Sequence, residues 1–504
     1  MPDNVMSSKA APLTVVQVRA LNRSWVDGRP VEPTSRFMKH LNPADASDLG
    51  DTCVSDAAAV DVAVRSARRC FAESWGRLPG TERKRLLHSF ADEVARHSTE
   101  LSLLETLEVG RPTSDANQIN GAAAQLVRTY ANMIDRVHGD LFDAEDRRLG
   151  VVWRRARGVV AAIVPWNVPV MNVLLRVAPA LAAGNTIVVK PSENSPRAAL
   201  FLAQLAAKAG IPDGAFNVVL GTGAEAGNAL ASHPDVNLVT FTGSSRTGMA
   251  IARAAADASL KPVLLECGGK SSQVILEDAF EDPAVWNSIF FSAFWNSGQW
   301  CVAKTRLLVP RALQQKAVDG LRTAAADWNV GDPARAETKL GPLASAIQQE
   351  RVQAYFSVAS QLGEVVDLGC ARNTVDDRGY YAFPSIVCGL PRGSRLSREE
   401  VFGPLMTVEG FDDINDAIAL ANDTEFGLSA SIWTNRSDFG FKLARSIEAG
   451  GVWVYSSAEA AKQSGPVLGT SRYFEPRKQS GYGVDGGVPG YLAYTSAQSV
   501  GFFN

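Results

Sequence analysis

The chain has 504 residues, is 46% hydrophobic and 20% charged, and balances 50 Lys+Arg against 53 Asp+Glu for a formal net charge of -3. That balance argues against a broad nucleic-acid face and an acidic tail, and a mean hydropathy of -0.04 leaves no room for several membrane spans. At about 100–200 residues per domain, the length predicts about three domains.

Residues 1–12 are polar with a single Lys and lack the apolar core of a signal peptide. No apolar run reaches membrane-spanning length. A cytoplasmic enzyme is expected, with residues 1–12 disordered or loosely attached. From Ala57 to Arg111 the pattern is helical, with segments at Ala58–Ala72 and Glu82–His97, and Ser114–Val137 reads as another amphipathic helix. Leu141–Arg155 reads as short strands around a charged turn at Asp143–Arg148. After Arg157, strands at Val159–Val164, Thr186–Val189, Phe216–Leu220 and Leu238–Phe241 alternate with helices at Val173–Ala183, Arg197–Ala209, Ala224–Ser232 and Arg246–Ala256. Continuous apolar strands alternating with helices predict a doubly wound parallel α/β sheet. A second alternating block runs from Pro262 to about Val454, with a strand near Val274, a helix over Pro283–Asn296, a strand at Arg306–Val309 and a helix over Leu313–Ala326. The last segment, Ser480–Asn504, has strand-like composition.

The six cysteines show no CxxC pair, so neither a disulfide framework nor a structural zinc site is expected, and a reducing compartment fits. All five histidines (His40, His88, His97, His138, His233) precede residue 234, and none has metal-ligand spacing. A catalytic cysteine in the second half would need another kind of base.

Ligands of such sheets sit at the carboxyl ends of strands. Here four strands run into Pro165-Trp166-Asn167, Lys190-Pro191-Ser192-Glu193, Gly221-Thr222-Gly223 and Thr242-Gly243-Ser244, turns suited to a nucleotide. Lys190 and Glu193 read either as a solvated surface pair or as ribose ligands, with the acid favouring NAD over NADP. Glu266 closes an apolar strand before Gly268-Gly269. It is either a structural strand-end carboxylate or, with its pKa raised by desolvation, a general base. Cys301 follows the glycine-bearing turn Asn296-Ser297-Gly298-Gln299-Trp300. It reads either as an inert buried thiol or as a nucleophile whose pKa falls from about 8.5.

These turns, with Glu266-Cys267-Gly268-Gly269-Lys270, Gly298-Gln299-Trp300-Cys301, Glu399-Glu400-Val401-Phe402-Gly403-Pro404 and Asn422-Asp423-Thr424-Glu425-Phe426-Gly427-Leu428, resemble the aldehyde dehydrogenase superfamily, hydrolytic and non-acylating, in motif order from Pro165 to Leu428. The resemblance implies a Rossmann-like nucleotide domain (13–129 and 156–264), an α/β catalytic domain (265–465) and a small β oligomerisation element (130–155 and 480–504) that pairs copies into a homodimer or homotetramer. It implies Cys301 as nucleophile and Glu266 as the base that activates water, with no metal. The oxyanion is held by the Asn167 amide and the Cys301 N–H, donors worth roughly 3–4 kcal/mol each. It implies NAD (NADP possible) held by Trp166, Lys190, Glu193, Gly223, Ser244, Glu400 and Phe402. The adenine would lie near Gly223 and the helix over 246–256.

The sequence departs from the family pattern at several positions. Cys267 replaces a usual Leu, as a redox liability or as packing. Arg176 stands for a frequent Lys, and Tyr455 for a usual Asn. Phe474-Glu475-Pro476-Arg477-Lys478 and Gly483-Val484-Asp485 replace Phe-Gly-Gly-x-Lys and Gly-Arg-Glu. This C-terminal wall is expected to shape the substrate funnel without touching Cys301, Glu266 or Asn167. The funnel is expected to be lined by Val168, Met171, Asn172, Leu175, Phe294, Trp295, Trp300, Val302 and Tyr455, which favours an apolar or aromatic aldehyde. The alternatives are a semialdehyde-acid substrate, which lacks an Arg cluster to hold it; CoA-acylating chemistry, disfavoured by Glu266; and a non-catalytic homologue.

Overall fold

A computed structural model describes residues 15–32, 35–142, 148–463 and 473–503. The expectations for residues 1–12 and for most of the 143–148 turn lie outside the described residues.

The first sheet has eight strands. Its centre is five parallel strands in the spatial order Phe216–Val218, Thr186–Lys190, Val159–Ile163, Leu238–Thr242, Val263–Glu266. Numbered along the chain, that order is 3-2-1-4-5, so the topology switches between Val159–Ile163 and Leu238–Thr242. Nearly every residue of these strands is buried, which is why they read as unbroken apolar runs. The Pro169–Ala182 helix starts with Pro at its first turn, where no N–H is needed, and is buried almost all round.

The second sheet has seven strands in the order Glu364–Asp367, Ser385–Cys388, Leu405–Phe411, Arg306–Pro310, Ser272–Ile275, Ser429–Trp433, Gly451–Tyr455, parallel throughout except for the first. One turn, residues 267–271, joins the end of the first sheet to the start of the second. The cleft therefore lies between the carboxyl ends of one sheet and the amino ends of the other.

The strand-like reading of Ser480–Asn504 holds only in part. Gly481–Tyr482 pairs antiparallel with Leu265 and Glu266 at the edge of the first sheet. Gly487–Ala493 is a helix, entered through Gly486 and Gly487 at φ +83° and +56°. The three-residue spacing of Tyr491 and Tyr494 puts both aromatics into the core, and this burial overrides their strand preference. Thr495–Phe503 then pairs along its full length with Arg148–Ala156, which also pairs with Asp140–Leu141. Among the described residues, no helix is long and apolar enough to cross a membrane.

Candidate active site

The Pro283–Phe294 helix ends where the backbone turns left-handed at three successive residues, Asn296 (φ +53°), Ser297 (φ +55°) and Gly298 (φ +73°). Such backbone is costly away from glycine and is held by its surroundings. Ser297 Oγ donates to Gly341 O at 2.7 Å, and Asn296 Nδ2 donates to Asn167 O at 3.0 Å and Gln299 O at 3.3 Å. At Gly298 a Cβ would lie 2.3 Å from Gly403 O. Only glycine lets this turn close against the loop that carries Glu400 and Phe402. The turn delivers Cys301 half-buried into the cleft.

Asn167 lies at the end of the first central strand with its amide oriented by two bonds. Its Oδ1 accepts from Asn172 Nδ2 at 3.0 Å, and its Nδ2 donates to Gln299 O at 3.2 Å. Asn172 was expected only as funnel wall; here it holds the Asn167 amide with its donor edge toward the Cys301 turn. Nothing in the sequence pattern pointed to this pairing beyond an amide set among apolar neighbours.

Glu266 ends its strand 8% exposed. Burial pushes its carboxyl well above the ordinary carboxylate range, Asp485 adds to the rise, and Arg176 opposes it. The Cys301 thiol is pushed up to about 12, first by burial and then by the Glu266 and Glu400 carboxylates. The Val302 and Cys301 N–H groups pull the other way. The expected fall of the thiol pKa is therefore not present, because burial and two carboxylates act on the sulfur.

The C-terminal segment reaches the base, contrary to expectation. The Cys267 N–H donates to Ser480 O at 2.8 Å, and Ser480 Oγ donates to Gly268 O at 2.7 Å. Arg176 is ion-paired with Asp485 and also donates to Thr242 Oγ1 at 2.9 Å. Two positions that depart from the family separately meet as one buried pair beside Glu266. Cys267 is packing: it is buried, and its Sγ would lie 2.9 Å from a Cβ at Gly248.

The expected cofactor residues gather at two points. At one end Glu193 Oε1 accepts from the Gly223 N–H at 2.6 Å, and Lys190 Nζ lies 3.5 Å from Glu193 Oε2 and donates to Pro191 O. Lys190 is buried, so the pair is not a solvated surface feature. At the other end the Phe402 ring, at φ +57°, meets Trp166 edge-on at 5.5 Å. Glu400 Oε1 accepts from the Gly269 N–H at 2.9 Å, and burial pushes the Glu400 carboxyl up to about 7.

A cleft of about 720 Å³ is lined by Ser244, Arg246, Arg351, Arg398, Glu400 and Phe426, among others. Ser244 caps the Ser245–Ala258 helix, whose free N–H groups face anions. Arg351, which donates to Glu400 O at 2.8 Å, and Gln348, which donates to Phe402 O at 2.7 Å, support the same loop and were not singled out from sequence. A dinucleotide fits this set: a ribose-sized acid and lysine, a helix N-terminus for pyrophosphate, and an aromatic pair beside Glu400.

Of the expected funnel residues, Val168, Met171, Leu175, Phe294, Trp295 and Val302 are buried, and Trp300 stacks edge-on with Trp295 at 4.3 Å. Trp295 Nε1 donates to Asp115 at 2.7 Å, so that wall shows an apolar face. Tyr455 packs on Trp433 at 4.9 Å.

The aldehyde dehydrogenase family model matches residues 30–500. The chain is 36% identical over 482 residues to the aminoacetaldehyde dehydrogenase of Pseudomonas aeruginosa, covering 95% of each chain. It is 35% identical over 490 residues to the 2-hydroxymuconic semialdehyde dehydrogenase of Pseudomonas sp. strain CF600, covering 95% of this chain and 98% of that one. The solved P. syringae indole-3-acetaldehyde dehydrogenase in complex with NAD+ superposes with a TM-score of 0.90 at 33% identity, over 98% of this chain and 100% of that chain.

The electrostatics of the pair give a direct test. Alkylation of Cys301 should accelerate with pH only well above the ordinary thiol range. In Glu266→Gln, which lacks the carboxylate that raises the thiol, the inflection should move to lower pH and alkylation at pH 8 should be faster. Iodoacetamide kinetics against pH measure this, and an unmoved inflection would separate the two groups.

Proposed function

Because this chain belongs to the aldehyde dehydrogenase family, we propose that Cys301 is its nucleophile, Glu266 its hydrolytic base and Asn167 its oxyanion donor. The overall reaction is NAD-dependent oxidation of an aldehyde to the carboxylic acid. The observation that carries the residue assignment is that the Asn167 amide is oriented onto the turn that carries Cys301 while the buried Glu266 carboxyl acts on the Cys301 thiol.

The Cys301 thiol gives its proton to the Glu266 carboxylate, which passes it to solvent, and Sγ attacks the carbonyl carbon to form a thiohemiacetal. Its oxyanion is met by the Asn167 Nδ2–H and the Cys301 N–H. These donors matter more in the transition state than in the ground state, so they raise kcat. Trp166, Glu400 and Phe402 would hold the nicotinamide end of NAD, and Lys190, Glu193, Gly223 and Ser244 the rest; the cofactor would supply the hydride acceptor needed to oxidise the thiohemiacetal to a thioester on Cys301. Glu266 then takes a proton from water, the hydroxide adds to the thioester, and the acid leaves as Cys301 is restored. A carboxyl raised by burial is suited to that step, because its basicity lies nearer neutral pH. Glu193 favours NAD: its carboxylate would repel the extra phosphate of NADP.

The apolar wall of buried Val168, Met171, Leu175 and Trp295 with half-buried Trp300 supports an apolar or aromatic aldehyde. One residue favours a second reading. Lys304, three residues beyond Cys301, is 8% exposed, and its Nζ lies 5.7 Å from the Trp453 ring. Burial pulls it down to about 8, and no carboxylate among the described residues pairs with it. A substrate carboxylate would complete it, as in a semialdehyde acid.

The strand pair Arg148–Ala156 and Thr495–Phe503 leaves Leu149, Trp153, Phe502 and Phe503 exposed. An apolar edge strand of this kind is paired in a stable protein, which supports a homodimer or homotetramer built through this element. The sheets support a division into 13–129 with 156–264, 265–465, and 130–155 with 480–504, with Leu265, Glu266 and Gly481–Tyr482 belonging to the first sheet. Six free thiols fit a reducing cytoplasm.

Three measurements test these roles. In rapid mixing, Glu266→Gln should still release one equivalent of NADH in a burst while steady-state kcat falls about 10²–10⁴-fold; Cys301→Ala should show no burst, and a burst there would sink the mechanism. The kcat of the wild type should fall as pH drops through an inflection above the ordinary carboxylate range. Asp485→Asn, which removes the charge that raises Glu266, should shift that inflection to lower pH. Finally, Lys304→Met should cut kcat/KM for an ω-carboxy-aldehyde about tenfold or more relative to a neutral aldehyde if the second reading is right. An equal effect on both leaves the apolar reading.

A further inference from the structure

Between the 267–271 turn and the start of Ser429–Trp433 lies a cavity of about 10 Å³, walled by Lys270, Ser271, Ser429, Leu428, Ile447 and Ala449, among others. Three side chains facing it are almost fully buried: Lys270 is 2% exposed, Ser271 3% and Ser429 4%. Lys270 Nζ, Ser271 Oγ and Ser429 Oγ have no hydrogen-bond partner in the protein. A buried ammonium without a partner costs several kcal/mol, about as much as any single defect a fold tolerates. Three such polar atoms around one space the size of a single small particle are a built site.

We propose that this cavity binds one monatomic anion of chloride size, held by the Lys270 ammonium and the Ser271 and Ser429 hydroxyls. The ligand is an anion because of the charges that face the site. Lys270 donates only, and among the described residues no carboxylate hydrogen-bonds to its Nζ. Arg306, a buried cation that also acts on Lys270, is paired with Glu409, with Nε 3.3 Å from Oε1, and its Nη2 donates to Leu420 O. Glu448, at the rim, is paired with Lys478. Glu409, Glu400 and Glu399 act on Lys270 only through space, against Arg306. A water molecule would satisfy the hydroxyls and leave the ammonium charge uncompensated.

The site sits under the joint of the molecule. Lys270 follows Gly269, whose N–H donates to Glu400 and whose Cα side lies against Cys301 O. An anion there would hold the turn that carries Glu266 on one side and faces the cofactor loop on the other. It would also bind with a proton. Burial pulls Lys270 down to about 7, and an adjacent anion favours the charged lysine. Affinity therefore rises as pH falls through neutrality.

Diffraction from crystals soaked in sodium bromide, with data collected at the bromine edge, should give an anomalous peak within hydrogen-bond reach of Lys270 Nζ. In solution, replacing gluconate by bromide or chloride at constant ionic strength should raise the thermal midpoint, more at pH 6 than at pH 8. Ser429→Ala should weaken that halide response and Lys270→Met should abolish it. A cavity holding water with no anomalous signal, or a halide response unchanged in both variants, overturns the proposal. Neither readout depends on aldehyde oxidation, so the site stands or falls apart from the roles of Cys301 and Glu266.

Discussion

The cleft is organised by one electrostatic constraint: two acids, the Cys301 thiol and the Glu266 carboxyl, are buried together. Burial raises both, and the Glu266 carboxylate raises the thiol further, because a second negative charge in a poorly solvated space is expensive. Glu400 adds a third acid, also raised by burial. Among the described residues, the buried cation that acts on Glu266 is Arg176. Arg176 is held by Asp485 and Thr242, so its charge offsets the cleft without neutralising Glu266 directly. Burial thus holds both acids toward their protonated forms.

That arrangement needs close backbone contact more than it needs large side chains. Gly298 lets the cysteine turn touch the Gly403 carbonyl, and Gly269 lets the 267–271 turn lie against the Cys301 carbonyl. The same turn is the covalent joint between the sheets: Glu266 is the last residue of one and Ser272 the first of the other. Glu266, Cys301 and the Glu400 loop are therefore fixed relative to one another by three short turns. The amides of Asn167, Asn172 and Asn296 stitch the remaining gap with directional bonds.

Arg176 and Asp485 show how departures from a family pattern are to be read. They lie 309 residues apart, and each alone looks like a conservative drift. In space they are one pair, in which a longer, planar cation meets a carboxylate on a shorter stem. The side-chain reach lost on one partner is regained on the other. The C-terminal segment thereby enters the electrostatics of the base, besides bordering the funnel.

The sequence by itself determined the alternation of strands and helices and the turns that end them. It also placed Cys301, Glu266, Asn167, Lys190 and Glu193 on those turns. Such features are local: apolar runs make buried strands, and glycine and polar residues make their ends. The tertiary structure decided what those residues face. It converted the strand-like tail at Tyr491 into a helix by burying its aromatics. It turned Asn172 from wall into support for Asn167, raised the Cys301 thiol where a fall was expected, and joined Arg176 to Asp485. Each of these depends on desolvation or on a partner far along the chain, and neither is written in the neighbouring residues.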